Sequence, residues 1–139
     1  MKMWTFHIDK SEQIEDDYIE IKVEKSESVK GLSFKYNQFI RYAPINVRQV
    51  FPNLIGYEAL RNSLLKIGYV NFEGLFELQM IHLGQNYISK IPIDTFKDAK
   101  ELKFLYLNGN RIQTLDGNPE STSRIIETKS YARKISRRL

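Results

Sequence analysis

The 139-residue chain contains no cysteine, so it can form neither a disulfide framework nor a thiolate metal site, and it offers no cysteine nucleophile. It has two histidines, His7 and His82, which are too far apart in sequence for a His-x-x-x-His metal motif. A glycine-rich phosphate loop is also missing. These absences predict a protein that is not an enzyme and that has no cofactor or metal.

Long apolar runs are missing too. The chain has no stretch of about 18 apolar residues for a membrane span, and the polar, then acidic, character of its start does not fit a signal peptide. No Asn-x-Ser/Thr acceptor for N-glycosylation occurs. As written, the sequence is therefore expected to remain in the cytoplasm.

The positive charge is concentrated at one end. Residues 124–139 carry six basic side chains and one acidic side chain, a net charge of +5, whereas the whole chain has +4, so residues 1–123 sum to −1. Within this tail Ile125, Ala132, Ile135 and Leu139 have helical spacing. Three interpretations remain open: a helix that covers the last repeat, a frayed tail, or a basic segment that contacts nucleic acid or anionic membrane.

The strongest positive feature is a set of apolar residues and one asparagine that returns every 24 residues. The two clearest copies begin at Leu78 and Leu102, and earlier copies begin at Leu54 and Val29. Such a period predicts one supersecondary unit stacked several times. The asparagines of the four copies, which we interpret as ladder residues that bond adjacent turn backbone, are Asn37, Asn62, Asn86 and Asn110.

Apolar residues alternate just before each asparagine, as in Ile81 and Leu83 or Leu105 and Leu107, which predicts a short strand in each copy. The resulting pattern Leu-x-x-Leu-x-Leu-x-x-Asn-x-Ile-x-x-Ile-Pro-x-x-x-Phe, most complete from Leu78 to Phe96, resembles the 24-residue "typical" class of leucine-rich repeat. That class is known mainly from extracellular proteins, including Toll-like and Slit-like proteins. The resemblance implies a curved coil whose concave sheet binds other proteins, without catalytic residues.

We therefore predict an α/β repeat solenoid: a short right-handed leucine-rich repeat coil with a parallel concave β-sheet, four repeats and an irregular convex side filled by Phe72 and Phe96. The expected divisions are a hairpin-like cap at 1–28, repeats at 29–53, 54–77, 78–101 and 102–120, and a basic helix or tail at 121–139. In the cap, alternating Trp4, Phe6 and Ile8 are expected to pair with Ile19, Ile21 and Val23.

Strand residues that alternate with the core positions are expected to face the concave side in columns. We predict that a protein partner binds there, with Met80, Phe104 and Tyr106 as anchors. The full set of candidate binding residues is Glu58, Met80, His82, Phe104 and Tyr106.

Two other functions remain open. One is an adaptor whose basic tail contacts nucleic acid or membrane, neither of which is the expected partner. The other is a truncated or degenerate repeat protein that has no partner. Family resemblance favours an extracellular origin, whereas the missing cysteines and signal peptide favour the cytoplasm. The sequence identifies neither the partner nor the oligomeric state.

Overall fold

The computed structural model describes residues 2–5 and 19–112. They form a five-stranded parallel sheet in which neighbouring strands follow chain order. The sheet contains β1 (Met3–Thr5), β2 (Gly31–Ser33), β3 (Gly56–Glu58), β4 (Met80–His82) and β5 (Phe104–Tyr106). This arrangement confirms the predicted leucine-rich repeat coil with one parallel strand per repeat.

The register of the sheet reproduces the sequence period. Leu32 lies beside Tyr57, Tyr57 beside Ile81, and Ile81 beside Leu105, which are steps of 25, 24 and 24 residues. All four side chains are fully buried. Because each central strand residue points into the coil, the flanking residues of the same strand point outward.

The first strand, β1, differs from the expected cap. It pairs in parallel with β2, whereas Ile19 forms a parallel bridge to Pro44, so the described parts of the two expected hairpin strands do not pair with each other. The physical reason is packing, because the Trp4 ring lies 5.1 Å from the ring of Phe51 and packs against the core of the coil. Phe6 and Ile8 lie outside the described residues.

The side of the coil opposite the sheet holds two one-turn helices, α1 (Val47–Val50) and α2 (Tyr69–Phe72), together with turns. Buried Phe72 contacts Phe96 there, with ring centroids 5.2 Å apart and planes tilted by 50°. Tyr57 continues this aromatic row, because its ring lies 5.0 Å from that of Phe72. The predicted Phe72–Phe96 contact is thus present.

The predicted basic helix or tail at 121–139 and residues 113–120 of the last predicted repeat lie outside the described residues. The domain boundaries therefore remain predictions. In the part of the chain that the structure describes, no helix has the length and apolarity needed to span a membrane.

Candidate binding surface

The ladder asparagines join neighbouring repeats through their side-chain amides. Asn86 Nδ2 donates to the carbonyl of Ala59 at 2.8 Å, and its Oδ1 accepts from the backbone N–H groups of Asn62 and Leu64 at 3.1 and 3.2 Å. Asn62 bonds the Phe34 carbonyl in the same manner. Asn37, Asn62 and Asn86 are buried, and Asn110 is half-buried. The amides of Asn62, Asn86 and Asn110 thus provide partners for backbone groups of the preceding repeat that would otherwise be unpaired, and the Oδ1 of Asn37 accepts from the Phe39 N–H in its own repeat.

The residue before each ladder asparagine has a left-handed backbone. Tyr36, Arg61 and Gln85 have φ values of 59°, 55° and 56°, and only the fourth copy places a glycine, Gly109, in this conformation, with φ 75°. Sequence reasoning missed this feature, because glycine is the usual signal for left-handed backbone and three of the four positions lack it. A left-handed turn therefore recurs between the strand and the ladder asparagine of each repeat.

A second polar column, also missed from the sequence, lies nine residues after the ladder. Asn46 exchanges two hydrogen bonds of 2.8 Å with the backbone of Ile21, and Asn71 Nδ2 donates to the carbonyls of Ala43 and Pro44. The third copy has Thr95 at this position. Extending the 24-residue period beyond the ladder would have found this column.

The outward face of the sheet consists of two columns fixed by the register. One column contains Gly31, Gly56, Met80 and Phe104. The other contains Ser33, Glu58, His82 and Tyr106. All five candidate binding residues lie in these columns, so the structure brings them onto one surface. Phe104 is 44% exposed, whereas Glu58, Met80, His82 and Tyr106 are half-buried.

Side-chain contacts order the β4–β5 end of this face. The rings of His82 and Tyr106 stack with centroids 4.8 Å apart and planes 30° apart. His82 Nδ1 accepts a hydrogen bond from the backbone N–H of Gly84 at 3.1 Å. A Cβ atom at position 84 would lie 2.7 Å from the imidazole, so the glycine allows this close approach. His82 is therefore part of a packed aromatic surface.

The β2–β3 end of the same face is charged. Glu58 Oε1 lies 3.2 Å from Lys35 Nζ, and Glu58 Oε2 accepts from the Ser33 hydroxyl at 3.3 Å. Glu58 is half-buried, whereas Phe104 at the opposite end presents an apolar ring to solvent. The outward face thus has a charged end and an aromatic end.

Asp98, outside the sheet, is more constrained than its position in a turn suggests. Its Oδ2 accepts from the backbone N–H of Gly74 and from the Tyr69 hydroxyl, both at 2.8 Å. These hydrogen bonds, that of Gly74 first, hold the pKa of Asp98 below its usual value, and the bond to Asp98 raises the pKa of Tyr69 to about 12. These bonds connect the turn that contains Asp98 to the turn of the preceding repeat. Among the described residues, no group of three acidic or histidine side chains converges as a metal site would require.

Comparison with known proteins assigns the repeats. The family described as leucine rich repeat matches residues 61–112. The chain is 37% identical to human Leucine-rich repeat-containing protein 66 over 54 residues and 40% identical to human Toll-like receptor 5 over 47 residues. These segments cover 39% and 34% of this chain and 6% of each relative, so the chain spans a small fraction of either relative's length.

No solved structure matches the chain. The matched segment 61–112 contains three ladder asparagines, Asn62, Asn86 and Asn110, and the strands β4 and β5. The same strand register and the same asparagine positions continue back to residue 31. Residues 61–112 are thus similar to the leucine-rich repeat family, and the described residues before them share the same strand register.

Proposed function

We propose that this chain is a non-enzymatic interaction module that binds a polypeptide partner through the outward face of its sheet. Leucine-rich repeats support protein interaction in general, and the family is generally non-enzymatic. No cofactor is part of the proposal. The observation that carries it is the aromatic end of the face, where exposed Phe104 lies beside Met80 and next to the His82–Tyr106 stack.

An exposed apolar cluster of this kind is where binding energy concentrates in protein interfaces. Aromatic side chains at the centre of a patch, once shielded from water by a partner, account for most of the affinity in many complexes. Phe104 projects away from the interior of the coil, on the side of the strand opposite buried Leu105. A partner bound to the outward face would therefore cover its exposed ring. Met80 adds a flexible apolar neighbour that adapts to the shape of a partner.

The charged end gives the interface a direction. The carboxylate of Glu58 and the ammonium of Lys35 form an ion pair on the exposed surface, where such pairs contribute little to folding. A partner that lies along the sheet would meet apolar side chains at β4–β5 and this ion pair at β2–β3. Peripheral charges of this kind favour one orientation of a partner over the reverse.

The test is capture of a partner by variants of the outward face. The parent protein and the Phe104→Ser and Tyr106→Ser variants are immobilised at equal density and exposed to the same extract, and captured proteins are quantified by mass spectrometry. A partner of the outward face should be lost by more than about tenfold in each variant, because each removes one central aromatic contact. Phe76→Ser is the matched control, since Phe76 is 53% exposed and lies outside the sheet.

Equal recovery by parent, face variants and control would refute the proposal. Salt separates it from the alternative in which the basic tail captures nucleic acid or membrane. Binding through the tail should collapse between about 50 and 200 mM salt, whereas a mainly apolar interface should change little over that range. A capture that depends on salt and is unaffected by Phe104→Ser would favour the tail.

A further inference from the structure

One asparagine of the repeats is followed directly by glycine. Asn108 and Gly109 form the only Asn-Gly dipeptide in the chain, and they lie in the turn between β5 and the ladder residue Asn110. In this dipeptide a backbone nitrogen can attack the preceding side-chain amide with little hindrance, because glycine has no Cβ atom. Asn108 and Gly109 are both half-buried, so water reaches the turn.

The equivalent peptide units of two earlier repeats are held by hydrogen bonds on both sides. The Gly84 carbonyl accepts from the Arg61 N–H at 3.0 Å, and the N–H of the next residue, Gln85, donates to the Asn108 carbonyl at 2.8 Å. The unit that joins Leu60 and Arg61 is bonded on both sides in the same manner. Such a pair of bonds opposes rotation of the peptide unit, because rotation would leave its polar groups unpaired.

The peptide unit that joins Asn108 and Gly109 is held on one side alone. Its carbonyl accepts from the Gln85 N–H, whereas the Gly109 N–H has no acceptor among the described residues. In the earlier copies the acceptor is a carbonyl of the following repeat, and β5 is the last strand of the described sheet. The nitrogen next to the Asn108 side chain is therefore the one without a hydrogen bond.

The side chain of Asn108 also differs from those of the ladder. Asn110 Nδ2 donates to the carbonyls of Leu83 and Leu107 at 2.8 and 3.0 Å, which fixes its amide. The Asn108 amide makes no hydrogen bond within the part of the chain that the structure describes. It lies above Gly84, where an added Cβ atom would be 3.2 Å from its Oδ1. The Asn108 side chain can therefore rotate without losing a hydrogen bond.

From these observations we propose that Asn108 undergoes spontaneous deamidation in the folded chain. The Gly109 nitrogen, after it loses its proton to a solvent base, attacks Cγ of Asn108. The new C–N bond closes a succinimide ring, the bond from Cγ to Nδ2 breaks, and the amide nitrogen takes a proton from water and leaves as ammonia. Water then opens the ring, at Cγ to give aspartate or at the backbone carbonyl to give isoaspartate. The reaction needs no partner, so this proposal holds or fails independently of the function proposed above.

Isoaspartate would lengthen the backbone between β5 and the last ladder residue. The chain then runs through the side-chain carbons of residue 108, which adds a methylene group ahead of Asn110. Asn110 Oδ1 accepts from the Ile88 N–H at 3.0 Å, and this bond depends on the spacing between the strand and the ladder. Isoaspartate should therefore release the Ile88 N–H, whereas aspartate retains the normal backbone.

The test follows the full chain in mildly alkaline buffer without denaturant. Trypsin cuts after Lys103 and Arg111, and digestion under mildly acidic conditions keeps the digest itself from deamidating. The released peptide 104–111 contains both Asn108 and Asn110, so mass spectrometry with electron-transfer fragmentation compares the two sites and separates aspartate from isoaspartate. Asn108 should be converted at least about tenfold faster than Asn110, whose amide is hydrogen-bonded. Equal conversion of the two sites would overturn the proposal.

A synthetic peptide of residues 104–111 supplies the rate without a fold. In the folded chain the rate at Asn108 should stay within about tenfold of the rate in this peptide, because one hydrogen bond, from Gln85, opposes rotation of the unit. The unfolded population of a stable domain is too small to produce such a rate. An intact Asn108 in the chain after full conversion of the peptide would refute the proposal. So would aspartate without isoaspartate, because direct hydrolysis of the amide does not pass through the ring.

Two variants separate the site from its consequence. Asn108→Gln keeps an amide but needs a larger ring, so it should remain unconverted at position 108 and melt like the parent. Asn108→Asp carries the charge of the product on a normal backbone. Nuclear magnetic resonance should show at least about tenfold faster hydrogen exchange at Ile88 in the deamidated parent, because its bond to Asn110 is released, and near-parent exchange in both variants. Equal exchange in the deamidated parent and Asn108→Asp would contradict the release of the ladder.

Discussion

Two columns of residues in this coil repeat with the same period, but one keeps the same residue in every copy and the other changes it from copy to copy. The ladder column has the same residue in every copy: Asn37, Asn62, Asn86 and Asn110. The neighbouring outward column has a different one each time: Ser33, Glu58, His82 and Tyr106. The columns are separated by only a few residues along each repeat, so the difference comes from what the side chains contact.

A ladder side chain contacts backbone, which is the same in every repeat. Asn86 pairs carbonyl and N–H groups of the preceding turn, and few side chains carry both a donor and an acceptor at the required positions. An outward side chain contacts solvent or its column neighbour, which imposes no common chemistry. Positions whose side chains bond the backbone thus keep the same residue in every repeat. Outward positions have no such requirement, so their side chains can vary to suit a partner.

The largest effect is expected for Phe96→Ala, which tests the interior of the coil. Phe96 is 7% exposed and contacts Phe72, so truncation should lower the free energy of unfolding by about 3–5 kcal/mol. Urea denaturation followed by circular dichroism measures the change. Phe76→Ala is the control, since Phe76 is 53% exposed, and it should cost far less. Similar midpoints for the two variants would show that the aromatic row does not support the fold.

A smaller loss is expected for Asn86→Leu, which tests the ladder directly. The substitution adds apolar volume yet leaves the buried backbone groups of Asn62 and Ala59 without partners, so it should destabilise the fold by about 1–3 kcal/mol. The matched control is Gln38→Leu, because Gln38 carries an exposed amide and directly follows the ladder residue Asn37. A thermal melt in which the two variants behave alike would contradict the ladder interpretation.

This contrast also explains how far the sequence could be read. The 24-residue period gave the parallel strands, the Phe72–Phe96 contact and the outward columns, because regularly spaced apolar residues determine which side of a strand is buried. It did not give the parallel pairing of β1, which depends on the contact of Trp4 with Phe51, far apart in sequence. Nor did it give the left-handed turns, because Tyr36, Arg61 and Gln85 carry no local signal for them.

The candidate binding residues could be placed on one face from the sequence, but their contacts could not. The period puts His82 beside Tyr106, whereas the stacking of their rings depends on the space above Gly84. Similarly, Asp98 lies in a turn by sequence, and its bonds to Tyr69 and Gly74 connect residues more than 20 positions away. Side-chain contacts between repeats were the part that the sequence alone left open.

Tyr57→Phe should act in the opposite direction to the two preceding variants. Among the described residues, Tyr57 has a fully buried hydroxyl without a hydrogen-bond partner. Removing it should stabilise the fold by about 1 kcal/mol, measured by urea denaturation at pH 7. Burial also raises the pKa of Tyr57 above its usual value.

The raised pKa gives this prediction a pH signature. The unfolded chain releases the Tyr57 proton near pH 10, its usual pKa, whereas the folded chain retains it, so parent stability should be complete below about pH 10 and fall as the pH rises further. The Tyr57→Phe variant should lose less stability over the same alkaline range. A variant that is less stable than the parent at pH 7 would show that the hydroxyl has a partner.

The smallest effect is expected for Phe104→Ser, which tests whether the side chains of the outward face contribute to the stability of the fold. Phe104 is 44% exposed, so the free energy of unfolding should change by no more than about 0.5 kcal/mol. Its neighbour Leu105 is fully buried in the same strand, and Leu105→Ser should lower stability by several kcal/mol, about 3 or more, because it combines lost apolar burial with a buried hydroxyl. Urea denaturation of the two variants compares opposite sides of one strand. A loss above about 2 kcal/mol for Phe104→Ser would place the aromatic end of the face within the folding core, and a reduced capture of partner by that variant would then reflect unfolding.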